Sequence, residues 1–317
     1  MASEQVRRSV RRKVGRVLAW VVGLGLLVVG VAGAYDRYAS AQVLAAYPAP
    51  GEFVSINGSQ MHVLCQGTGE PTLVLQAGFG GGALDWSPIM PLLADQRRVC
   101  AFDRLGQDYS DPAPTPRQFG SAADDLHIAL GQLGIEEPVV VGHSLGGAVV
   151  QIYAARYAVS GVILVEGLTT EDVDSVVRRI GSYQSLNALG RIGLLRPIGS
   201  TLVNPSYPEE AREQMKALRS GSTALLSLTA EGASAAATAG AELAEAEPKI
   251  VAPMLLIGAE QSDVPDLPPG KFSSSLRALA ARKPNSTFVE VADARHYVQA
   301  EQPEQVAAII KGWLAQR

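Results

Sequence analysis

The stretch VVVGHSLGGAVV, residues 139–150, decides how this chain folds. Its first valines predict a buried strand, and the small and apolar residues after Ser144 predict a helix. A sharp turn from strand to helix needs small residues two positions before and two positions after the serine, and Gly142 and Gly146 provide them. Such a turn holds the hydroxyl clear of the sheet and aims a helix N-terminus at developing negative charge. We therefore predict that Ser144 is a nucleophile.

A serine hydroxyl needs a base to take its proton, and the chain contains four histidines. His143 lies inside the turn and is expected to point away from its neighbour's hydroxyl. His62 lies on an early hairpin, and His127 lies on a predicted helix before the serine. His296 follows the serine, in the loop between the last predicted strand and the last predicted helix, as the chain order Ser, acid, His requires. We predict that His296 is the base and that the other three are structural.

The third member of such a site is a carboxylate at the carboxyl end of another strand, where it orients the imidazole. The loop after the apolar strand at 254–257 contains Glu260, Asp263 and Asp266. Glu166 ends a different predicted strand. From loop position and chain order we favour Asp263, with Glu166 as the alternative. Glu260 and Asp266 stay open.

Acyl transfer also builds negative charge on the carbonyl oxygen, which backbone N–H groups can stabilise. Leu145, directly after the nucleophile, supplies one N–H group. The turn AGFGGG, residues 77–82, follows a predicted strand and supplies the second, from Phe79. Glycines there let the backbone approach the substrate. Phe79 and Leu145 are therefore the predicted oxyanion donors.

Eight apolar or alternating segments predict strands, and helical segments between most of them indicate a mainly parallel sheet covered on both faces. Asn57-Gly58 between the first two predicts an antiparallel hairpin. Nearly ninety residues separate the sixth and seventh strands, which predicts a helical cap at about 168–248 within a domain spanning 53–317. Inside the cap, residues 233–247 fit either a flexible stretch or a helix. The predicted strands are 53–56, 60–65, 72–76, 98–102, 138–141, 162–165, 254–257 and 287–291.

The N-terminus combines a basic head with a long apolar run. Residues 1–16 carry six basic side chains and one acidic side chain, and residues 17–35 carry no charge. We predict that residues 1–35 form a cytoplasmic head and an uncleaved membrane anchor, with a signal peptide cleaved near Ala34 as the alternative. Both interpretations place the rest of the chain outside the cytoplasm, because basic flanks stay inside. Residues 36–52 are predicted to be a linker.

The remaining chain has a net charge of −9, since the first sixteen residues contribute +5 to the total of −4. An acidic body without a basic stripe predicts no nucleic-acid partner.

The chain has two cysteines, Cys65 and Cys100, which are too few for a thiolate zinc site, and we expect no metal and no other cofactor. Taken alone the pair fits buried free thiols, although two thiols outside the cytoplasm can also be oxidised.

Residues from about 53 to 317 resemble the α/β-hydrolase superfamily, especially bacterial hydrolases with an N-terminal membrane segment. The resemblance is carried by the strand, GHSLG and helix sequence and by DRLGQDYSD, residues 103–111, which is similar to the family's Asp-Arg-x-Gly-x-Gly-x-Ser stretch. It implies the α/β-hydrolase fold, with a mainly parallel eight-stranded sheet, an antiparallel N-terminal hairpin and a helical cap insertion. It also implies that the second and fourth strands are neighbours, so we predict a disulfide bond between Cys65 and Cys100.

The sequence departs from the family at three positions, one of which is Asp108 in place of the second glycine of that stretch. In such proteins a histidine-glycine pair often precedes the oxyanion residue, but Gln76-Ala77-Gly78 lacks the histidine. The usual acid lies three residues after the glycine that ends its strand, and Gln261 occupies that position here.

Together these features predict a serine hydrolase that cleaves carboxylic esters or related acyl bonds through an acyl-enzyme. The composition of the cap predicts a small-molecule apolar acyl substrate. Acyltransferase, amidase and cofactor-free haloperoxidase activities use the same serine and are alternatives. A non-catalytic binding protein on this scaffold is the alternative from a different class.

Overall fold

The structure is a computed structural model that describes residues 2–113, 118–182, 190, 196, 203–264 and 267–317. Its described residues form one eight-stranded sheet with the strand order β1-β2-β4-β3-β5-β6-β7-β8. β1 pairs antiparallel with β2 and β2 with β4, whereas all other neighbours are parallel. The predicted mainly parallel sheet with an antiparallel N-terminal hairpin is confirmed. The strands are β1 (Glu52–Ile56), β2 (Ser59–Gln66), β3 (Leu73–Gln76), β4 (Val99–Phe102), β5 (Val139–His143), β6 (Gly161–Val165), β7 (Met254–Ala259) and β8 (Ser286–Val291).

Helices cover both faces of this sheet, and two short 3₁₀ helices span Ala83–Trp86 and Glu247–Lys249. Numbered in chain order among the described residues, the helices are α1 (Ala2–Ala46), α2 (Met90–Ala94), α3 (Phe119–Gln132), α4 (Leu145–Arg156), α5 (Val173–Ser182), α6 (Glu209–Arg219), α7 (Ser222–Ala246), α8 (Lys271–Arg282), α9 (Val298–Glu301) and α10 (Pro303–Leu314).

Successive side chains of the buried strands enter two separate hydrophobic cores. Val74 and Val140 pack with α3, α4, α7 and α8 on one face of the sheet. Leu75 and Val141, the next residues on the same strands, pack with α2 and α10 on the other face. This follows from the period of two in a strand, and it explains why these strands are apolar throughout rather than alternating.

The strand order sets the position of the predicted site residues. β5, β6, β7 and β8 are consecutive parallel neighbours, so their carboxyl ends meet at one edge of the sheet. Ser144 follows β5, Glu166 follows β6, Asp263 lies in the loop after β7, and His296 lies in the loop after β8. The topology therefore gathers all four at the same edge.

The insertion between β6 and β7 contains the helices α5, α6 and α7. The 25-residue α7 runs to Ala246 and packs against α5, α4 and α3. The stretch 233–246, for which the sequence fits either a flexible segment or a helix, is therefore helical in the structure.

Cys65 and Cys100 lie directly opposite each other on the antiparallel strands β2 and β4. The structure joins them in a disulfide bond. The bridge ties the N-terminal hairpin to the centre of the sheet, because β4 also pairs with β3.

The N-terminal helix α1 contains a segment, Arg11–Ala46, that is long and apolar enough to cross a membrane, with a mean hydropathy of 2.4 in its most apolar window. A signal sequence has the same properties. The helix continues through Ala46, so the first eleven residues of the predicted linker at 36–52 are helical. The reason is a docking contact: the buried Asp36 carboxylate lies 2.9 Å from Arg196 Nη1 and accepts the Ser222 hydroxyl at 2.5 Å. The end of α1 is thus held against the start of α7.

Candidate active site

The turn at Ser144 requires an unusual backbone and two closely packed glycines. Ser144 has φ 49° and ψ −121°, between the end of β5 and the start of α4. A Cβ atom at Gly146 would overlap the carbonyl oxygens of Gln76, the last residue of the neighbouring strand β3, and of Ala77, which follows it. The glycine therefore lets α4 begin directly beside the sheet. A non-glycine residue with positive φ costs about 1–3 kcal/mol, which the surrounding packing has to offset.

The Ser144 hydroxyl lies 2.9 Å from His296 Nε2, a hydrogen-bonding distance. His296 reaches it from the loop between β8 and α9, as the chain order Ser, acid, His requires. For Ser144 to donate its proton to Nε2, the other ring nitrogen has to carry the ring's hydrogen. The pair is then poised for transfer of the serine proton to the imidazole.

The carboxylate that meets the other ring nitrogen belongs to Glu166. Its Oε2 lies 3.3 Å from His296 Nδ1, and its side chain has no exposed surface. Glu166 Oε1 accepts the Ala259 N–H at 2.8 Å, and Oε2 accepts the Ser262 hydroxyl at 2.5 Å. These two donors hold the carboxylate at the ring, so Glu166 is placed to orient His296 and to stabilise its imidazolium form.

Asp263, the acid favoured from the sequence, is not brought to the imidazole. Its side chain is 58% exposed, and its carboxylate lies 3.8 Å from Arg295 Nη1. The physical reason is the direction of the loop after β7: Ser262 turns inward to Glu166, so the next residue turns outward to solvent. Glu260 accepts the backbone N–H of Asp293 instead. The first choice, Asp263, is thus corrected to the alternative, Glu166, whereas Asp266 lies outside the described residues.

Burial favours the uncharged forms of both groups. It lowers the pKa of His296 to about 4, against a smaller opposing effect of the Asp263 charge. It raises the pKa of Glu166 to about 7, although the hydrogen bonds from Ser262 and Ala259 act in the opposite direction. A neutral imidazole is the form that accepts a proton, so His296 is available as a base over the whole neutral range.

His143 is hydrogen-bonded to the backbone of His296. It is buried, and its Nε2–H donates to the backbone carbonyl of His296 at 2.9 Å. Burial lowers the pKa of His143 to about 3, which keeps the ring neutral. The sequence predicted a structural role for this residue, but its partner lies 153 positions away and no local pattern indicated it. Of the remaining histidines, His62 pairs with Asp103 and His127 stacks on Tyr157.

The two predicted oxyanion donors both border the nucleophile. Leu145 is the first residue of α4, next to Ser144. A Cβ atom at Gly78 would lie 3.1 Å from the Ser144 Cβ, so the glycine turn passes close to the nucleophile. A cavity of about 360 Å³ opens here, and Gly78, Phe79, Ser144 and His296 are among its lining residues. The arrangement matches the needs of acyl transfer: a nucleophile, a base and two backbone segments at one cavity.

Comparison with known proteins relates the chain to one fold. Residues 71–188 match the family model described as alpha/beta hydrolase fold. The putative carbamate hydrolase RutD of Stutzerimonas stutzeri is 43% identical over 81 residues, which cover 25% of this chain and 30% of that protein. The chain thus spans less than a third of that relative. Human 1-acylglycerol-3-phosphate O-acyltransferase ABHD5 is 27% identical over 277 residues, covering 75% of this chain and 76% of that one.

Among solved structures, a thermophilic esterase from Thermogutta terrifontis superimposes with a TM-score of 0.66 at 23% identity. The match covers 84% of this chain and 98% of the esterase. At this identity the likeness concerns the fold alone.

Replacement of the acid distinguishes Glu166 from Asp263. Glutamine in the Glu166→Gln variant keeps the shape of the side chain but carries no negative charge to stabilise the imidazolium. We expect kcat for a p-nitrophenyl ester to fall by roughly 10³- to 10⁴-fold. The matched Asp263→Asn variant changes an exposed group and should alter kcat by less than about twofold. A larger loss in Asp263→Asn than in Glu166→Gln would contradict the assignment.

The pH dependence follows from the shifted pKa values. With His296 as the predicted base and Glu166 as its partner, we expect activity to require neutral His296 and ionised Glu166. On acidification the pair takes up a proton near pH 7, because the pKa of Glu166 is raised to about 7 whereas that of His296 is lowered to about 4. We therefore expect kcat/KM to be full above about pH 8 and to fall as the pH drops through about 7. A profile that stays flat down to about pH 5 would show that the carboxylate is ionised throughout.

Proposed function

We propose that the chain, which has the α/β-hydrolase fold, belongs to that superfamily and is a serine hydrolase that cleaves carboxylic esters or related acyl bonds. The observation that carries the proposal is the contact of 2.9 Å between the Ser144 hydroxyl and His296 Nε2, with Glu166 at the opposite ring nitrogen. Nucleophile, acid and base follow β5, β6 and β8, which belong to one run of four parallel strands, in the chain order Ser, acid, His that this chemistry needs.

In the acylation step Ser144 Oγ attacks the substrate carbonyl while His296 Nε2 takes the hydroxyl proton. Glu166 stabilises the imidazolium that results. The tetrahedral intermediate carries negative charge on the former carbonyl oxygen, and the N–H groups of Phe79 and Leu145 stabilise it. The intermediate collapses when His296 gives the proton to the leaving group, which departs as an alcohol and leaves the acyl group on Ser144.

In the second step a water molecule attacks the acyl carbon, and His296 removes its proton. The new intermediate collapses when the proton passes to Ser144 Oγ. This restores the serine hydroxyl and releases a carboxylic acid. The same histidine therefore acts as base and then as acid in each half of the reaction.

The lining of the cavity supports an apolar acyl substrate. Phe79, Val176, Ile180 and Phe272 contribute apolar surface beside Ser144. Asp85, Asp263, Arg295 and Glu301 also line the cavity, so the apolar surface for an acyl chain lies beside several charged groups. The names of similar proteins, an esterase and a carbamate hydrolase, concern carbonyl carbons that bear an oxygen, and they agree with this class.

Acyl transfer to an alcohol is the second candidate reaction. It is favoured by the likeness to an O-acyltransferase over 75% of the chain. The mechanism differs in the second step, where an alcohol replaces water as the attacking group.

We also propose that α1 is a single-pass anchor and that the catalytic domain lies outside the cytoplasm. The apolar side chains of α1 between Val17 and Val31 are exposed in the structure, and burial of such surface in a bilayer is favourable. The alternative, secretion after cleavage near Ala34, would remove the apolar run but retain Asp36. The disulfide between Cys65 and Cys100 fits an oxidising compartment.

A membrane-impermeant, charged fluorophosphonate tests nucleophile and location together. Applied to intact spheroplasts that express the full chain, it should label the wild type through Ser144 and leave Ser144→Ala unlabelled. Absence of wild-type labelling even after the membrane is permeabilised would contradict the hydrolase. Labelling that needs permeabilisation would contradict the location. A chain-length series of p-nitrophenyl esters, with and without added alcohol, then separates hydrolysis from acyl transfer by the ratio of acid to ester product.

A further inference from the structure

A buried ion pair joins the cap to the core beside the glycine turn. Arg104 lies just after β4, and Glu231 lies on the cap helix α7. Arg104 donates from Nε and from Nη2 to Glu231 Oε1, at 2.9 and 2.7 Å. The two side chains are 6% and 12% exposed, so solvent screens this pair little.

Both partners also hold the backbone of the turn at 77–80. Arg104 Nη1 donates to the Ala77 carbonyl at 2.7 Å, and Nη2 donates to the Gly78 carbonyl at 2.8 Å. The N–H of Gly80 donates to Glu231 Oε2 at 2.9 Å. Charge-assisted hydrogen bonds of this kind are roughly twice as strong as bonds between neutral groups.

The bond to the Gly78 carbonyl bears directly on the oxyanion donor. The carbonyl of Gly78 and the N–H of Phe79 belong to one peptide group, which is planar and trans. In such a group the two point in opposite directions. This carbonyl also accepts the Gly81 N–H at 3.1 Å. Arg104 and this turn bond together fix the direction of the Phe79 N–H, and the positive charge that Arg104 places on the oxygen side also polarises that N–H.

We propose that Arg104 and Glu231 are positioning residues. They form what we call the latch, the ion pair through which the packing of the cap on the core sets the direction of the Phe79 N–H. The inference rests on the proposed function, because it assigns a purpose to the predicted oxyanion donor. It also explains how the turn is held although Gln76-Ala77-Gly78 lacks the histidine common in similar proteins. The cap thereby acts on the rate of the chemical step as well as covering the site.

A second glutamate on the same helix provides a matched control. Glu242 of α7 also reaches from the cap to core backbone, where it accepts the N–H groups of Phe119 and Gly120 at 3.1 and 2.9 Å. These contacts lie at the start of α3. Glu231 and Glu242 therefore make the same kind of contact between cap and core, at different places.

The experiment compares Glu231→Ala, Glu231→Gln and Glu242→Ala in the detergent-solubilised full chain, with p-nitrophenyl butyrate as substrate. A misdirected oxyanion donor weakens binding of the transition state more than that of the substrate. In Glu231→Ala we expect kcat to fall by roughly 10- to 100-fold while KM changes by less than about twofold. Arg104 and Gly80 donate to different oxygens of Glu231, whereas glutamine has a single acceptor oxygen, so Glu231→Gln should give a kcat between those of the wild type and Glu231→Ala. Glu242→Ala should lower the melting temperature and leave kcat unchanged.

Amide hydrogen exchange supplies a readout that does not depend on turnover. Exchange of the segment 77–82 should become faster in Glu231→Ala and stay at the wild-type rate in Glu242→Ala. Equal kcat in the wild type and Glu231→Ala, or equal losses in the two alanine variants, would overturn the latch while leaving the hydrolase intact. A wild type that reacts with neither ester nor fluorophosphonate would overturn the proposed function, and unchanged exchange at 77–82 in Glu231→Ala would overturn the latch on its own.

Discussion

Three backbone segments approach one another at the carboxyl edge of the sheet: the turn from β5 into α4, the end of β3, and the glycine turn that follows β3. Gly146 lies so close to the carbonyl groups of Gln76 and Ala77 that a side chain there would collide with them. A Cβ atom at Gly78 would lie 3.1 Å from the Ser144 Cβ, which is a close but less crowded approach. This close approach places a hydroxyl, a helix N-terminus and a glycine turn around one small volume. The other parts of the site are arranged around that contact.

The site combines buried titratable groups with a few fixed hydrogen-bond donors. Burial keeps His296 neutral, ready to accept a proton, and disfavours the negative charge on Glu166. Ser262 and the Ala259 N–H partly offset that cost by donating to the carboxylate. His143 and Arg104 act one layer further out, on the carbonyl groups of His296 and Gly78. Two backbone carbonyl groups that border the site are thus held by buried side chains.

Much of this layout could be predicted from the sequence, because its signals are local or depend on chain order. The strands, the turn at Ser144 and the choice of His296 follow from apolar runs, two glycines and position in the chain. The choice between Asp263 and Glu166 depends on which residue of the loop after β7 faces the imidazole. Ser262 faces inward and donates to Glu166, whereas Asp263 faces solvent, and a shift of the loop by one residue would exchange the two. The departure at Gln261 was a signal in favour of Glu166.

The contacts that the sequence did not predict join distant parts of the chain. Arg104 and Glu231 are separated by 127 positions, and no periodicity links them. The docking of Asp36 onto Ser222 spans 186 positions, and it carries α1 past the point where composition alone suggested a linker. Such pairs follow from how the cap packs on the sheet, and cap packing is not a property of any short segment.

The most direct test of this site is a crystal structure of the full chain after reaction with a fluorophosphonate. The bound phosphorus stands in for the tetrahedral carbon of the acyl intermediate. We expect it on Ser144 Oγ, with its oxygen about 2.7–3.1 Å from the backbone nitrogens of both Phe79 and Leu145 and with Glu166 still on His296 Nδ1. A phosphoryl oxygen directed into solvent, or the Asp263 carboxylate on His296, would contradict it.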